Sequence, residues 1–164
     1  MKILALDTAT KTGWATNVHG NRSGTVEFPV KRGESPGMRF LRCRAWLNEM
    51  LQLIDKPDVI SYEQAHHRGG AATSCALGLI AEVQAFAAEH GIELMSVHTG
   101  TLKKFATGSG RGSKADMIDA ARQRGWNPVD DNESDAVLLL EYALNELQGQ
   151  IRKAETVLKK GTIK

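Results

Sequence analysis

The sequence predicts a single α/β domain built on a mixed β-sheet. A continuous apolar run at residues 3–7 and two β-prone runs at 12–18 and 25–30 predict three consecutive strands. Apolar residues then recur at helical spacing over residues 35–54, and the pattern afterwards alternates between strand and helix. Because tight turns join antiparallel strands and helical crossovers join parallel ones, we expect both pairings in one sheet with helices packed on it.

The later elements complete a predicted sheet of five strands. In order, they are a strand at 58–63, a helix at 71–90, a strand at 92–97, a short helix at 102–106, and helices at 113–124 and 132–147. The helix at 71–90 is apolar or small on nearly all sides. This predicts either a central position in the core or contact with another subunit.

The composition is that of an ordinary globular domain. The chain has 164 residues, 41% hydrophobic and 24% charged, which predicts one domain over residues 1–148 and a basic tail at 149–164. A formal net charge of +2 does not by itself require a polyanionic partner. Cys43 and Cys75 form no CxxC motif, and the N-terminal apolar run is too short to cross a membrane. We therefore expect a cytoplasmic protein with reduced thiols and no membrane contact.

Three acidic residues end or begin predicted elements. Asp7 ends the first strand, Glu63 ends the fourth, and Asp135 lies in the first turn of the last helix. If the first and fourth strands are neighbours, Asp7 and Glu63 project from one edge of the sheet, where the helix start can add Asp135. Further polar residues lie just before Asp135: Asp130, Asp131, Asn132 and Glu133.

Such a cluster suits a hard divalent cation. Mg²⁺ prefers oxygen ligands and needs only a few carboxylates beside its waters and a substrate phosphate. Two ions about 3.5–4 Å apart activate the attacking water and stabilise the leaving oxygen of a phosphodiester. Each acid also has an ordinary structural interpretation, because Asp and Glu at strand ends and helix starts cap turns and interact favourably with the helix dipole.

Four segments carry a family resemblance. Residues 3–15 (ILALDTATKTGWA) place Asp after an apolar strand and Gly-Trp in the return strand, and residues 60–64 (ISYEQ) place Glu-Gln at a strand end. Residues 102–114 (LKKFATGSGRGSK) hold a basic Gly-x-Gly segment, and residues 132–136 (NESDA) end in Asp-Ala. In this order, over residues 3–145, they resemble the RuvC family of Holliday junction resolvases, within the RNase H-like superfamily.

The resemblance implies an RNase H-like fold, a mixed five-stranded sheet flanked by helices. It implies a divalent-metal-dependent endonuclease that nicks branched DNA and resolves four-way junctions, using two Mg²⁺ or Mn²⁺ ions per active site. The family's catalytic acids fall on Asp7, Glu63, Asp131 and Asp135, and its metal ligands on these four and Asn132. It also implies a homodimer, because Leu77-Gly78 and the small residues after them resemble the long helix that packs the family's dimer.

The sequence departs from the family at three places. The usual Pro-Gly after the first Asp is Thr8-Ala9. The penultimate ligand, usually Asp or His, falls on Asn132, which is neutral and weaker; Asp131 reaches the same helix face as the final Asp and is slightly favoured. The aromatic residue that the family tends to carry three positions after the Glu is His66, which stacks more weakly on a base. Relaxed junction selectivity is therefore expected.

The resemblance also places DNA contacts in the glycine-rich segment and after the catalytic Glu. Exposed glycine amides beside cations suit phosphate oxygens. The predicted contacts are Lys103, Lys104, Arg111, Lys114, His66 and Arg68. The alternative for this segment is a solvated turn with surface lysines. The basic tail and the residues Arg39, Arg42 and Arg44 can likewise be interpreted either as DNA contacts or as a solvated surface. The segment lacks the Gly-Lys-Ser/Thr ending of a P-loop, which argues against a nucleoside triphosphate site.

Other functions stay open on the sequence alone. A catalytically inactive relative would bind DNA or RNA without cutting it, as Asn132 in place of an acid suggests. An RNase H-like nuclease acting on RNA–DNA hybrids or on RNA would share the same acids. An actin-like phosphotransferase fragment would also begin with a strand ending in Asp, but the chain is too short for the two-domain cleft of that class.

Overall fold

The computed structural model of the protein describes residues 1–65 and 69–161. Its strands are β1 (Ile3–Asp7), β2 (Lys11–Thr16), β3 (Arg22–Glu27), β4 (Val59–Glu63) and β5 (Glu93–Val97). Its helices are α1 (Met38–Ile54), α2 (Ala71–His90), α3 (Thr99–Thr107), α4 (Lys114–Gln123) and α5 (Asp131–Gly161). The strands form one sheet in the order β3-β2-β1-β4-β5, flanked by the helices. This confirms the predicted mixed five-stranded α/β architecture.

The sheet combines both kinds of strand pairing. β1 pairs with β2 and β2 with β3 in antiparallel register, whereas β1–β4 and β4–β5 are parallel. The carboxyl ends of β1, β4 and β5 therefore meet at one edge of the sheet. Loops and helix starts that follow these strands are the natural place for a binding site in an α/β fold.

Two hydrophobic cores cover the two faces of the sheet. On one face, Leu4, Leu6 and Ile60 pack with α1 and α2. On the other face, Ile3 and Ala5 pack with α3, α4 and α5. This division follows from the alternation of side chains along a strand. It assigns every odd-numbered residue of β1 and β4 to the α5 side.

Two predicted boundaries were wrong. β3 begins at Arg22, three residues before the β-prone run predicted at 25–30, and ends at Glu27, before Val30. Gly24 lies against Trp14 on β2, where a Cβ would come within 3.0 Å of the indole nitrogen. α5 continues past the predicted end near Leu147 to Gly161. Residues 150–157 contain no Pro or Gly, so nothing in their composition stops the helix.

The helix α2 has the predicted bounds and lies on the sheet with one side. Its buried side chains are Leu79, Ile80, Val83, Phe86 and Ala87. Within the described chain it is also the one helix long and apolar enough, by length and composition, to cross a membrane, a test that core helices of soluble proteins pass as well. Because 28% of this stretch is buried, one side of α2 belongs to the core and the other side stays exposed.

Candidate active site

Three of the predicted acids line one cavity at the carboxyl edge of the sheet. The cavity has a volume of about 410 Å³ and is lined by Asp7, Glu63 and Asp135 together with Lys103 and Lys114. We call it the carboxylate cavity. Strand ends, a helix start and two further helices thus bring side chains from five separate stretches of sequence into one place.

The strand register explains why Asp7 and Glu63 are neighbours. Leu6 is paired with Tyr62 in the parallel β1–β4 ladder, so the next residue of each strand ends its strand at the same level. Side chains two positions apart on a strand lie on the same face of the sheet, so Asp7 lies on the face of Ile3 and Ala5, which face α5. For the same reason Glu63 lies on the face of Val59, which also faces α5. Both carboxylates are therefore directed to the face on which α5 places Asp135.

Gly13 sets how closely α5 approaches the sheet. It pairs with Asp7 across the β1–β2 ladder. A Cβ at this position would lie 1.9 Å from the carbonyl oxygen of Asn132, so only glycine permits the contact. The backbone of the first turn of α5 consequently rests on the strand beside Asp7, and Asp135 follows one turn later.

Two further acids hold the start of α5 in place. The Asp130 carboxylate accepts a hydrogen bond from the Glu133 amide at 2.9 Å, a helix-capping contact, and lies 2.6 Å from the Lys11 ammonium. Glu133 is only 6% exposed. It accepts from the Ser23 hydroxyl at 2.6 Å and from the Val129 amide at 2.8 Å. For Asp130 the capping interpretation is therefore confirmed.

Mutual repulsion and burial raise the pKa values of two acids in the cavity. The pKa of Asp7 is raised well above its usual value, first by burial and then by the charges of Asp135 and Glu63. The pKa of Asp135 is raised to about 7, first by burial and then by the charges of Glu63 and Asp131. The ionised forms of both carboxylates are thus destabilised, and a bound cation would offset this.

These shifts predict a pH-dependent stability for the metal-free protein. A folded-state pKa raised from 3.8 to about 7 means that folding favours protonated Asp135. Its stabilising contribution is complete below pH 4 and is lost as the pH rises toward 7. We expect the melting temperature in EDTA to fall between pH 5 and pH 8, and Asp135→Asn to reduce this fall. A melting temperature of the wild type that rises over this interval would contradict the argument.

Two of the acids have cationic or hydroxyl partners. The Thr99 hydroxyl donates to Glu63, and the Lys114 ammonium donates to Asp131. In this arrangement, no three His, Cys, Asp or Glu side chains of residues 1–65 and 69–161 are grouped so as to hold a metal ion. Glu63 and Asp131 are thus held by neighbouring side chains, while their charges still act on Asp135.

The donor set nevertheless fits a hard cation. One carboxylate oxygen of Asp135, Oδ1, is buried and has no hydrogen-bond partner among the described residues. A buried carboxylate oxygen without a partner is costly unless a cation or a proton binds it. The cavity adds two more carboxylates, from Asp7 and Glu63, and no thiol or imidazole ligand lines it among the described residues. All-oxygen sites suit Mg²⁺ or Mn²⁺ rather than zinc.

The structure separates the two candidates for the fourth ligand. Asp131 lies close enough to raise the pKa of both Asp7 and Asp135 by its charge. Asn132 contacts Gly13 through its main chain. Neither residue is among those that line the carboxylate cavity. The role of Asp131 as a ligand therefore stays a prediction, and so does that of Asn132.

The predicted DNA contacts fall into three groups. Lys103 and Lys114 line the carboxylate cavity, whereas Lys104 and Arg111 are exposed outside it. His66 and Arg68 lie outside the described residues. Of the arginines near α1, two are engaged within the protein, as shown by the ion pairs Arg42–Glu34 and Arg44–Glu82. These two pairs favour a structural role over a DNA contact.

Sequence reasoning missed several polar residues of the cavity. Thr8, Gln64, Thr73 and Thr99 line it beside the acids. Thr99 follows β5, whose carboxyl end lies at the same edge as that of β4 because the two strands are parallel. The sequence signal that could have indicated Thr99 was a polar residue directly after a strand that runs parallel to the strand of Glu63. Nothing in the sequence pattern of α2 indicated Thr73.

Comparison with known proteins identifies the fold. No protein-family model matches the sequence, and no curated protein is significantly similar to it. The structure of RuvC from Thermus thermophilus is similar with a TM-score of 0.71 and 20% sequence identity, covering 91% of this chain and 97% of that chain. The chain has the RNase H-like fold of RuvC.

Other structures with the RuvC-like fold agree. The Thermus thermophilus RuvC complex with Holliday junction substrate has a TM-score of 0.71 at 19% identity, covering 85% of this chain and 90% of that chain. The yeast mitochondrial Holliday junction resolvase has a TM-score of 0.57 at 13% identity, covering 84% and 75%. In each comparison the similarity thus extends over more than four fifths of this chain.

Proposed function

We propose that the protein is a divalent-metal-dependent endonuclease that nicks branched DNA and resolves four-way junctions, a crossover junction endodeoxyribonuclease. The observation that carries this proposal is the carboxylate cavity, in which Asp7, Glu63 and Asp135 lie together with two lysines. The RuvC-like fold adds support, because one solved structure that shares it is a complex with Holliday junction substrate and another is named as a Holliday junction resolvase. A site of acids and cations at a sheet edge suits phosphodiester hydrolysis.

The residues divide into two roles. Asp7, Glu63 and Asp135 would hold one or two Mg²⁺ or Mn²⁺ ions, with Asp131 as the proposed fourth acid. When bound, the ions lower the pKa of a water and stabilise the charge that develops on the leaving oxygen. Lys103 and Lys114 bind and orient phosphate oxygens of the strand to be cut. Thr99 orients the Glu63 carboxylate through its hydroxyl.

A nicking assay on defined substrates tests the proposal. Synthetic four-way junctions, forks and RNA–DNA hybrids of equal length are incubated with the protein, with and without Mg²⁺. We expect Mg²⁺-dependent nicks in the junction, at positions related by its symmetry. Preferential cleavage of the hybrid would instead assign an RNase H-like activity. Tight, salt-dependent binding without nicking in either Mg²⁺ or Mn²⁺ would assign an inactive DNA-binding protein.

A homodimer belongs to the same proposal. Resolution needs two cuts, and one carboxylate cavity makes one nick, so a two-fold pair of chains would present two related sites. The exposed side of α2 is the proposed interface, since small residues line it at helical spacing: Ala81, Ala85 and Ala88. Gly78 has a different role, because a Cβ there would lie 2.4 Å from the Phe40 ring of α1. Sedimentation of the active protein as a monomer would contradict the dimer.

Two adjacent lysines of α3 provide a matched test of phosphate binding. Lys103 lines the carboxylate cavity, whereas Lys104 is exposed outside it. We expect Lys103→Ala to weaken junction binding uniformly across sequences and to reduce the slope of log K against log salt by about one. Lys104→Ala should change both quantities less. Equal effects of the two substitutions in a salt titration would show that Lys103 has no special position.

A further inference from the structure

Two lysine–aspartate ion pairs lie next to each other at the start of α5. Lys11 on β2 pairs with Asp130 at 2.6 Å. Lys114, the first residue of α4, pairs with Asp131. The Asp130 carboxylate also accepts from the Glu133 amide, so the first pair holds the helix start. The second pair differs, because Lys114 lines the carboxylate cavity.

The charge of Lys114 acts on three acids of the site. Its ammonium donates to Asp131. Burial raises the pKa of Asp7 and of Asp135, whereas the charge of Lys114 lowers both. The pKa of Lys114 is raised, first by its hydrogen bond to Asp131 and further by the charges of Asp135 and Asp7. In the metal-free protein, Lys114 therefore supplies part of the positive charge that a divalent cation would supply.

The contact between Lys114 and Asp131 can open without a change in the fold. The Lys114 side chain is 82% exposed, and that of Asp131 is 29% exposed. Ion pairs with a largely exposed partner contribute little to stability, because water and salt screen them. The reciprocal Ser113–Asp116 capping box fixes the start of α4. Since the lysine ammonium is carried on a flexible four-carbon stem, it can change partners while the helix stays in place.

The proposed function brings two ligands to this ion pair. A carboxylate that holds an ammonium is less available to a metal ion, and an ammonium that holds a carboxylate is less available to a phosphate. We propose that Lys114 and a divalent cation compete for Asp131, and that Lys114, once displaced, binds a phosphate of the DNA. This inference rests on the proposed function, in which Asp131 is the fourth acid, and adds a coupling between the metal ion and the substrate.

The coupling has a direction that can be measured. Binding linkage is reciprocal, so the divalent cation should strengthen DNA binding by the same factor as DNA strengthens cation binding. Without DNA, Lys114 opposes the cation. With DNA, a phosphate holds the ammonium and Asp131 is open. The site would therefore take up its metal ions more readily on the substrate than in the free protein.

Mn²⁺ binding to the DNA-free protein tests the competition. The free ion that remains at each total concentration is measured by electron paramagnetic resonance. We expect Lys114→Met to raise the Mn²⁺ affinity about fivefold or more. Lys103→Met removes a charge from the same cavity, one that lowers the pKa of Asp135, and should raise the affinity less. Lys11→Met, which opens the neighbouring ion pair, should leave it unchanged.

A second substitution separates direct competition from a general effect of charge. If Lys114 acts through Asp131, the gain from Lys114→Met should fall in Asp131→Asn protein to that from Lys103→Met. A gain of full size in this background would show that the lysine acts only by its field, and would overturn the inference. Equal gains from Lys114→Met and Lys103→Met in the otherwise wild-type protein would also overturn it.

DNA binding tests the release of the lysine to a phosphate. The affinity for a four-way junction is measured with and without Ca²⁺, which takes the same oxygen ligands, in samples that a denaturing gel shows to be uncut. We expect Ca²⁺ to strengthen binding by wild type and by Lys11→Met about fivefold more than binding by Lys114→Met. Equal strengthening in all three proteins overturns the proposed coupling.

The outcomes distinguish this inference from the proposed function. A protein that nicks junctions, but in which the two cavity lysines affect Mn²⁺ binding equally, overturns the inference alone. A protein that shows the expected order of Mn²⁺ affinities, but neither binds nor nicks junctions, overturns the proposed function and the phosphate step. The competition for Asp131 would stand in that case.

Discussion

Replacing Asp7 by Asn should abolish nicking while making the protein more stable. Asp7 lines the carboxylate cavity, and the charges of Asp135 and Glu63 oppose its ionisation. Removing a charged ligand from a phosphodiester-cleaving site costs several kcal/mol of transition-state stabilisation, which is about a thousandfold or more in rate. The same substitution removes one repelling buried charge, so the melting temperature without metal should rise at pH 8.

The two readouts together exclude a trivial explanation. A variant that failed to fold would lose nicking and melt at a lower temperature, whereas a variant that lost only the ligand would melt higher. Asp119→Asn on α4 is a matched control, because this exposed side chain pairs only loosely with Arg122, at 3.7 Å. It should leave both quantities unchanged. Retained Mg²⁺-dependent nicking by Asp7→Asn would remove Asp7 from the mechanism.

Replacing Gly13 by Ala should damage the site without touching any acid. The added methyl would lie 1.9 Å from the Asn132 carbonyl oxygen, which is main chain and cannot rotate away. The first turn of α5 must shift, and Asp131 and Asp135 shift with it. We expect a loss of about 1–3 kcal/mol in the free energy of unfolding, as for other overpacked contacts. A displacement of about 1 Å at the reacting centre should reduce the nicking rate about a hundredfold.

Gly149 offers a control in the same helix. A Cβ there meets nothing within 4 Å, so Gly149→Ala should leave nicking unchanged and stabilise the helix by about 0.5–1 kcal/mol. Urea denaturation and single-turnover nicking measure both variants. Gly13→Ala protein with normal stability and rate would show that the approach of α5 to β2 is adjustable.

The sequence was informative where a local pattern and the sheet topology agree. Asp7 and Glu63 could be predicted as neighbours because each ends an apolar strand and parallel strands end at one edge. Asp135 required the position of α5, for which the family resemblance supplied the expectation. Nothing in the sequence distinguished the roles of the acids at the start of α5. Asp130 and Glu133 carry carboxylates as Asp131 does, yet they cap and anchor the helix.

The sequence could not predict the distances between segments that are far apart along the chain. The neighbour of Gly13 is Asn132, more than a hundred positions along the chain, and a glycine in a strand predicts only some close approach. Similarly, Thr99 looks like an ordinary polar residue until the parallel pairing of β4 and β5 is known. Arg44 of α1 could not be assigned, because its partners Glu82 and Glu89 lie on α2.

The helix α5 carries both Asp135 of the carboxylate cavity and a part of the protein interior. Directly after Asp135, residues 136–140 are completely buried in the core that α5 shares with the sheet, α3 and α4. A change in the pitch or tilt of this helix cannot move the carboxylate without repacking five side chains at the centre of the molecule. The packing of the core therefore determines the spacing of the acids. Natural or engineered variation in metal preference should then arise more readily through the loops after β4 and β5 than through the helix itself.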